Sequence, residues 1–588
     1  MSSTFDGLYI ARSGVHASRV CLDITGQNIT NAAREGYTRQ RVDLSSIPPC
    51  SYGSLWATPG AVSGNGVSAD GTEQLRDQFL DGEFRTQNAK AGETTTQINA
   101  MYDMEDIFST TTTASSSSKS SVIDVLSDAY SKLVSQLQDL TSGKSDATES
   151  SIREQATILA TKLNTAAKAL NTVREKQTSS LQDYGIKQAN DLMKNIANLN
   201  DRIRDAEIGG QPALELKDQR NLLLDKLSQY TSIQVIHKQE DVGAGHQVDT
   251  VSVCLADKDG NALKGVGGKP LYTLINNKQY AQFSAKADRK NEDDTDSTKS
   301  FDTTHIRLSG LTKLNADGSI YNEDGSVTFS PADAGMKNTD LKTGSFAGYL
   351  KLLNESGEYD TAAGSPTTTS RGIGFYSQML DGLAQKLAET INAVNSTNKT
   401  AGEAATASNI KPFFTGSVEL PSGVTAAVAL KQITDGITAE NIHLSAAWGE
   451  NVSNYLTKAK EPVNPTDSNS GSFSNIITMI GKMDDSPVDI KSSNEVSVFS
   501  GSLRKAFASV STMLGQDANS VQSTDNTNAY LLNNIDTSRQ EVSSVSLDDE
   551  AVSISQFTQS LNASSRFMTA VDECLQTIIN NMGTAGRG

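Results

Sequence analysis

Residues 547–582 read LDDEAVSISQFTQSLNASSRFMTAVDECLQTIINNM, and this stretch decides the fold. Apolar residues recur every seven positions at Ile554, Leu561, Met568, Leu575 and Met582, with a companion row at Phe557, Ser564, Val571 and Ile578. The alternating three-four spacing is that of a coiled-coil seam. Ser546 with Asp549 fits a capping box, and Asp548, Asp549 and Glu550 suit the positive end of a helix dipole. At about 1.5 Å per residue the stretch makes a helix of roughly 54 Å, longer than an ordinary domain needs.

The other end of the chain carries the same signal. Leu8, Val15, Leu22 and Ile29 repeat every seven residues, beside a second row of small residues at Ala11, Ser18, Thr25 and Ala32. Small residues along one line let a neighbouring helix approach closely, so the N-terminal helix reads as half of a packed pair with the C-terminal helix as its partner. An intramolecular coiled coil in a monomer and a helix pair completed by other subunits both satisfy this pattern. Such helices draw their stability from packing, so the pair should be firm chiefly in an assembly.

Between the ends, helices dominate. One face runs through Leu126, Tyr130, Leu133, Leu137 and Leu140, a second from Ile152 to Val173, a third through Ile196, Leu199, Ile203 and Ala206, and a fourth from Ile373 to Val394. Helical pattern resumes at Leu503, Phe507, Val510 and Leu514. A β-type run at Val248, Val251, Val253 and Leu255, with the turn dipeptides Asp259-Gly260, Asp317-Gly318 and Asp324-Gly325, places strands in between. The expected fold is therefore mainly α with β-rich insertions. Residues 1–108 with 540–588 form a terminal-helix core; 109–232 with 341–400 and 486–539 form a helical bundle. Residues 233–340 form a β-rich lobe, and 401–485 a second inserted region without a legible fold. The polar run from Ser109 to Ser121 reads as a joint, and Gly36 as a left-handed helix end.

The 588 residues carry a net charge of −18, which argues against nucleic acid or an anionic membrane surface as partner. No apolar run reaches the roughly 20 residues of a membrane helix, and no cleaved secretory signal is legible at the N-terminus. No catalytic, cofactor or metal constellation emerges. The five histidines are dispersed; the four cysteines, Cys21, Cys50, Cys254 and Cys574, have no metal-ligand spacing. Gly265-Val266-Gly267-Gly268-Lys269 lacks the strand-to-helix context of a phosphate loop, and Asp257, Asp259 and Gly260 read as turn chemistry rather than a calcium loop. Asp218 and Arg220 read as a structural ion pair at a helix start.

Several motifs resemble bacterial flagellar axial proteins. Leu22-Asp23-Ile24, Gly26, Asn28-Ile29, Asn31 and Gly36-Tyr37-Thr38-Arg39 are similar to the N-terminal signature shared by rod, hook and junction proteins, departing from it at Arg34-Glu35, where Thr-Pro often stands. LKDQRNLLLDKLSQY (216–230), containing Asp218, Gln219 and Arg220, resembles a segment of the hook-associated protein 1 family, as do LKTGSFAGYLKLLNE (341–355), LDGLAQKLAETINAVN (380–395) and the C-terminal helix. The resemblance implies a non-enzymatic structural protein without cofactor, extracellular and part of the flagellum, that polymerises as a ring joining hook to filament. It implies terminal helices packed with those of neighbouring copies, and an assembly interface at Leu8, Val15, Leu22, Asn28, Ile29, Asn31, Gly36 and Tyr37 with Ile554, Phe557, Leu561, Met568, Val571, Leu575 and Ile578. The partners it implies are copies of the same chain, the hook protein, a second junction protein and the filament protein. It further implies export by the flagellar type III pathway, with a cytoplasmic chaperone on the C-terminal helix. Another axial protein of hook or distal rod, or a secreted adhesin or enzyme on a coiled-coil stalk, are the alternatives.

Overall fold

In a computed structural model the chain is described over residues 6–48, 64–110, 120–143, 148–243, 247–265, 270–288, 303–309, 336–354, 371–395, 411–416, 426–449, 455–456, 473–491 and 497–582. Cys50, His246, the turns at 317–318 and 324–325, most of the Gly265–Lys269 loop and the middle of the 109–121 run lie outside these residues.

The chain starts with α1 (Asp6–Asn31) and a two-stranded antiparallel ribbon, β1 (Gln40–Ser46) and β2 (Val67–Gln74). Gly36 turns the chain between α1 and β1 at φ +77°, a conformation that costs glycine nothing. Then comes α2 (Gln78–Phe108), a 31-residue helix that the hydrophobic pattern does not disclose. Its faces are made of Thr, Gln, Ala and Gly, so no apolar stripe stands out. Close packing replaces it: a Cβ on Gly92 would stand 2.3 Å from the Gln229 carbonyl oxygen.

A short ladder, β3 (Ser109–Thr110) with β4 (Ser120–Ser121), leads into α3 (Val122–Thr141) and α4 (Glu149–Ser179). A π-helical turn at Ser180–Ile186 joins α4 directly to α5 (Lys187–Ile208). The second and third helical faces read from the sequence are therefore one continuous rod of about 90 Å. The extra residue of the π turn shifts the apolar phase, so the two stripes look independent. After α6 (Leu214–Ser228) the strands β5 (Ile233–Asp241), β6 (Gln247–Leu255), β7 (Thr273–Asn276) and β8 (Gln279–Tyr280) form an antiparallel sheet in that order, and β9 (Gln282–Asp288) pairs with β10 (Thr303–Ser309). The remaining elements are α7 (Ser345–Asn354), α8 (Ile373–Asn395), β11 (Phe414–Thr415), α9 (Ala426–Asp435), β12 (His443–Leu444), α10 (Ala446–Gly449), α11 (Ser474–Asp484), β13 (Val488–Lys491), β14 (Ser497–Gly501), α12 (Leu503–Ser543) and α13 (Leu547–Met582).

One continuous hydrophobic core joins α3, α4, α5, α8 and the start of α12, and it includes the β6 residues Val251, Val253 and Leu255. The sheet does not stand away from the helices: the Asn200 side chain donates to the Asn277 carbonyl at 2.9 Å and Asn190 to that of Phe283 at 2.9 Å. The described parts of 401–485 also enter this core. Phe413 packs 4.3 Å from Trp448, which stacks on Tyr455 at 5.7 Å, and Asn164 of α4 donates to the Ala439 and Ile442 carbonyls. A region of weak pattern becomes core here because aromatic anchors, not periodic helices, supply the burial. No residue of α1 or α13 belongs to that core.

Asp381 on α8 accepts the Ala439 N–H at 2.8 Å. Burial pushes its carboxyl up to about 6, against the pull of that hydrogen bond, and the charge of Glu440 adds to the rise. Because the folded group binds its proton more tightly than the unfolded one, the stabilisation is complete at acid pH and lost as pH rises through 6. Asp381→Asn, which keeps the acceptor, therefore raises the melting temperature at neutral pH, and the gain shrinks to nothing below the ordinary carboxylate range; thermal melts across pH measure both.

Candidate assembly interface

α1 and α13 lie antiparallel over the length of α1. Asn28 bonds Glu550 at 3.4 Å, Ser18 bonds Ser560 at 3.1 Å, a Cβ on Gly14 would stand 2.8 Å from Ser564 Oγ, and one on Gly7 3.3 Å from Val571. These four pairings keep one register. The small row of α1 makes the contact: Ala11, Ser18 and Thr25 are buried, whereas Leu8, Val15, Leu22 and Ile29 on the flank are half-buried. On α13 the side chains of Phe557, Leu561, Ser564, Met568, Val571 and Leu575 are half-buried and Ile554 and Ile578 are exposed. Among the described residues each helix has one long neighbour, and its flanking apolar side chains are only partly covered. The seven-residue count also missed Val552 at 58% exposure and Phe567 at 46%, which lie off both apolar rows of α13. Cys21 is buried in the pair and Cys574 is exposed farther along α13, both as free thiols.

At the base of the pair the contacts turn polar. Asn28 is 1% exposed; its Oδ1 accepts from Gln40 N at 3.0 Å and from the Tyr37 hydroxyl at 2.9 Å, and its Nδ2 donates to the Gln40 carbonyl at 2.9 Å. Glu550, 2% exposed, receives Arg39 Nε at 2.7 Å. A buried carboxylate needs such a partner. Asn31 bonds back to the Gln27 carbonyl at 3.0 Å, and Gln27 itself reaches Glu215 at 2.7 Å. Burial and the nearby carboxylates of Asp218, Glu215 and Glu550 push the Tyr37 hydroxyl up to about 12, so it stays a donor.

The DQR segment is on α6, and its members point apart. Asp218 accepts the Thr38 N–H at 3.1 Å and stands 3.9 Å from Arg76, while Arg220 pairs with Asp249 at 3.0 Å and Asn200 at 3.2 Å. The expected Asp218–Arg220 pair does not form because residues two apart on a helix do not face each other. Gln219 is half-buried. Burial pushes the Asp218 carboxyl up against the Thr38 and Arg76 contacts; burial acts the same way on Asp249, but His237 and Arg220 override it and hold that carboxyl at about 2. Asp218 thus ties α6 to the terminal pair and Arg220 ties it to the sheet. Leu222 of α6 also packs where a Cβ on Gly36 would stand, 3.4 Å away.

Sequence reasoning missed the ions that complete this joint. Arg76 forms a two-point pair with Asp81 (2.5 and 3.1 Å) and bonds Thr38, and Arg85 pairs with Asp225 at 2.8 Å. Asp225 lies 140 residues from Arg85, and Glu550 lies 511 from Arg39; no local pattern links such partners. Among the described residues no cluster of three His, Cys, Asp or Glu side chains could hold a metal, and no helix is long and apolar enough to cross a membrane. The arrangement is an apolar two-helix strip on a charged, hydrogen-bonded base.

The family model described as the flagellar hook-associated protein FlgK helical domain matches residues 116–409. Flagellar hook-associated protein 1 of Bacillus subtilis is 27% identical over 595 aligned residues, covering the whole of both chains. Its namesake in Salmonella typhimurium is 28% identical over 228 residues, 38% of each chain. The solved flagellar hook junction protein FlgK from Burkholderia pseudomallei superposes on 79% of this chain and all of its own, at 14% identity and a TM-score of 0.46.

Asn28→Ala removes three of the side-chain hydrogen bonds that seat Gln40 and Tyr37 and leaves Glu550 with Arg39 alone. It is expected to cost about 1–3 kcal/mol, seen as a lower denaturation midpoint of the terminal helices with the bundle transition unmoved.

Proposed function

Because this chain belongs to the flagellar hook-associated protein FlgK family, we propose that it polymerises as a ring between hook and filament and adapts one to the other. One observation carries this reading. The two ends of the chain meet in a long antiparallel helix pair whose flanking apolar residues are only half-buried among the described residues and which takes no part in the core of the bundle. A second and third helix pair, supplied by adjacent copies, would cover Leu8, Val15, Leu22 and Ile29 and the outer residues of α13. Joining the ring costs conformational entropy, and burial at about 0.8 kcal/mol per CH₂ offsets it.

In this reading the terminal pair forms the inner tube and the bundle the layer around it. The hook protein lies on one side of the ring, and a second junction protein and the filament protein on the other. The chain travels through the flagellar type III pathway, and a cytoplasmic chaperone shields the apolar strip of the C-terminal helix, which would otherwise aggregate.

Electron microscopy of cells lacking the gene, with a blot of the medium for filament protein, tests the role. Intact hooks without filaments, and filament protein in the medium, are expected; missing hooks would move the protein to hook or rod, and normal flagella would overturn the reading. Leu22→Asp and Leu561→Asp should each abolish filament attachment, while the purified variants keep the wild-type melting transition of the bundle.

A further inference from the structure

Three helices share one cation where the bundle meets the terminal pair. Arg539 lies in the last two turns of α12, and its Nη1 donates to Asp225 of α6 at 2.6 Å and stands 3.7 Å from Asp81 of α2. Its guanidinium lies 3.9 Å over the Phe84 ring of α2, and Asp536 on its own helix pairs with the other nitrogen at 3.2 Å. One side chain therefore carries a bridging, a pairing and a stacking interaction at once, which the flat fork of arginine permits and a lysine does not.

The rest of this half of α12 is held mainly through polar contacts. From residue 519 to 543 no side chain is buried, and the contacts to α2 are polar: Gln87 to Asn528 at 3.0 Å, and Thr94 and Thr95 to Asp525 at 2.8 and 3.0 Å. Only residues 544–546 separate the end of α12 from α13, and the Ser543 carbonyl receives Arg39 N of the terminal unit at 2.9 Å. Whatever fixes the end of α12 fixes where α13 begins.

We propose that Arg539 is a clamp: it holds the end of α12 to α2 and α6 and so sets the direction in which the chain enters α13. It is a positioning residue rather than a structural necessity, because each acid it touches on another helix keeps a second cation. Asp225 retains Arg85 and Asp81 retains Arg76, so removing Arg539 strands no buried carboxylate, the change that would unfold the bundle. The clamp itself does not depend on the assembly reading; only its consequence for filaments does.

The test uses the full chain with Cys50→Ser and Cys574→Ser, and spin labels at Asn534→Cys on α12 and Thr165→Cys on α4, both exposed positions. Cys21 and Cys254 are buried. Pulsed dipolar spectroscopy should give one narrow distance in the parent and a distribution about twofold broader or displaced in both Arg539→Gln and Arg539→Lys, since a point charge cannot span the site. Arg504→Gln, which breaks an exposed pair with Asp484 at the opposite end of α12, should leave the distance as in the parent. Bundle melting should be unchanged in all of them, and cells carrying Arg539→Gln should bear fewer filaments. An unchanged distance in Arg539→Gln, a broad distance in the parent, or a collapse of bundle melting would each overturn the clamp. Filament loss with an unchanged distance would overturn it while leaving the junction role intact, and an altered distance with normal filaments would overturn its part in directing α13.

Discussion

The antiparallel register of α1 on α13 is the constraint from which the rest of the architecture follows. It brings together residues separated by 522 positions at Asn28 and Glu550 and by 542 at Ser18 and Ser560, so the chain must leave and return through one place. Everything between becomes a closed excursion, and the bundle core can be built without a single residue from either end. Two units with separate sources of stability result. The bundle has Leu, Ile and aromatic side chains packed away from water; the terminal pair has a narrow seam of small residues on one side and partly wet flanks on the other.

Joining such units through a hydrophobic patch would have merged them into one core. Here the joint is made of ions and hydrogen bonds instead, with Asp218, Asp225, Asp81 and Glu550 all nearly buried and each within reach of an arginine. Charges in such a place contribute little net stability, since desolvation consumes most of the attraction, but they are exacting about geometry. The consequence is a joint that favours one arrangement of helices over its neighbours. The Asp218 and Arg220 side chains, two residues apart on α6, face opposite ways across this joint. One reaches the terminal pair and the other the sheet, so α6 is tied to both.

Much of this was legible because periodicity is a local property. The stripes of α3, α4, α8 and α13 could be read directly, and the contrast between small and large rows of α1 indicated which side would take a close neighbour; the buried residues Ala11, Ser18 and Thr25 occupy that side. What escaped was non-local or non-apolar. α2 has no stripe because polar contacts to α12 hold one of its faces. The π turn at Ser180–Ile186 disguised one rod as two helices, and the aromatic anchors Phe413, Trp448 and Tyr455 pull a patternless region into the core. Asp218 and Arg220 were legible as ion-pairing residues, but the partners across the joint were not, since a charged residue in a helix reads as solvent-facing until its partner from another element is known.

These gaps share a physical cause that bears on function. Hydrophobic burial is non-directional and leaves a periodic record in each helix separately, whereas a buried ion pair is directional and is specified by two positions that have no sequence relation. The parts of this protein that must simply be stable are therefore written periodically, and the parts that must be oriented are not. By that logic the residues that orient one copy against the next belong to the second kind.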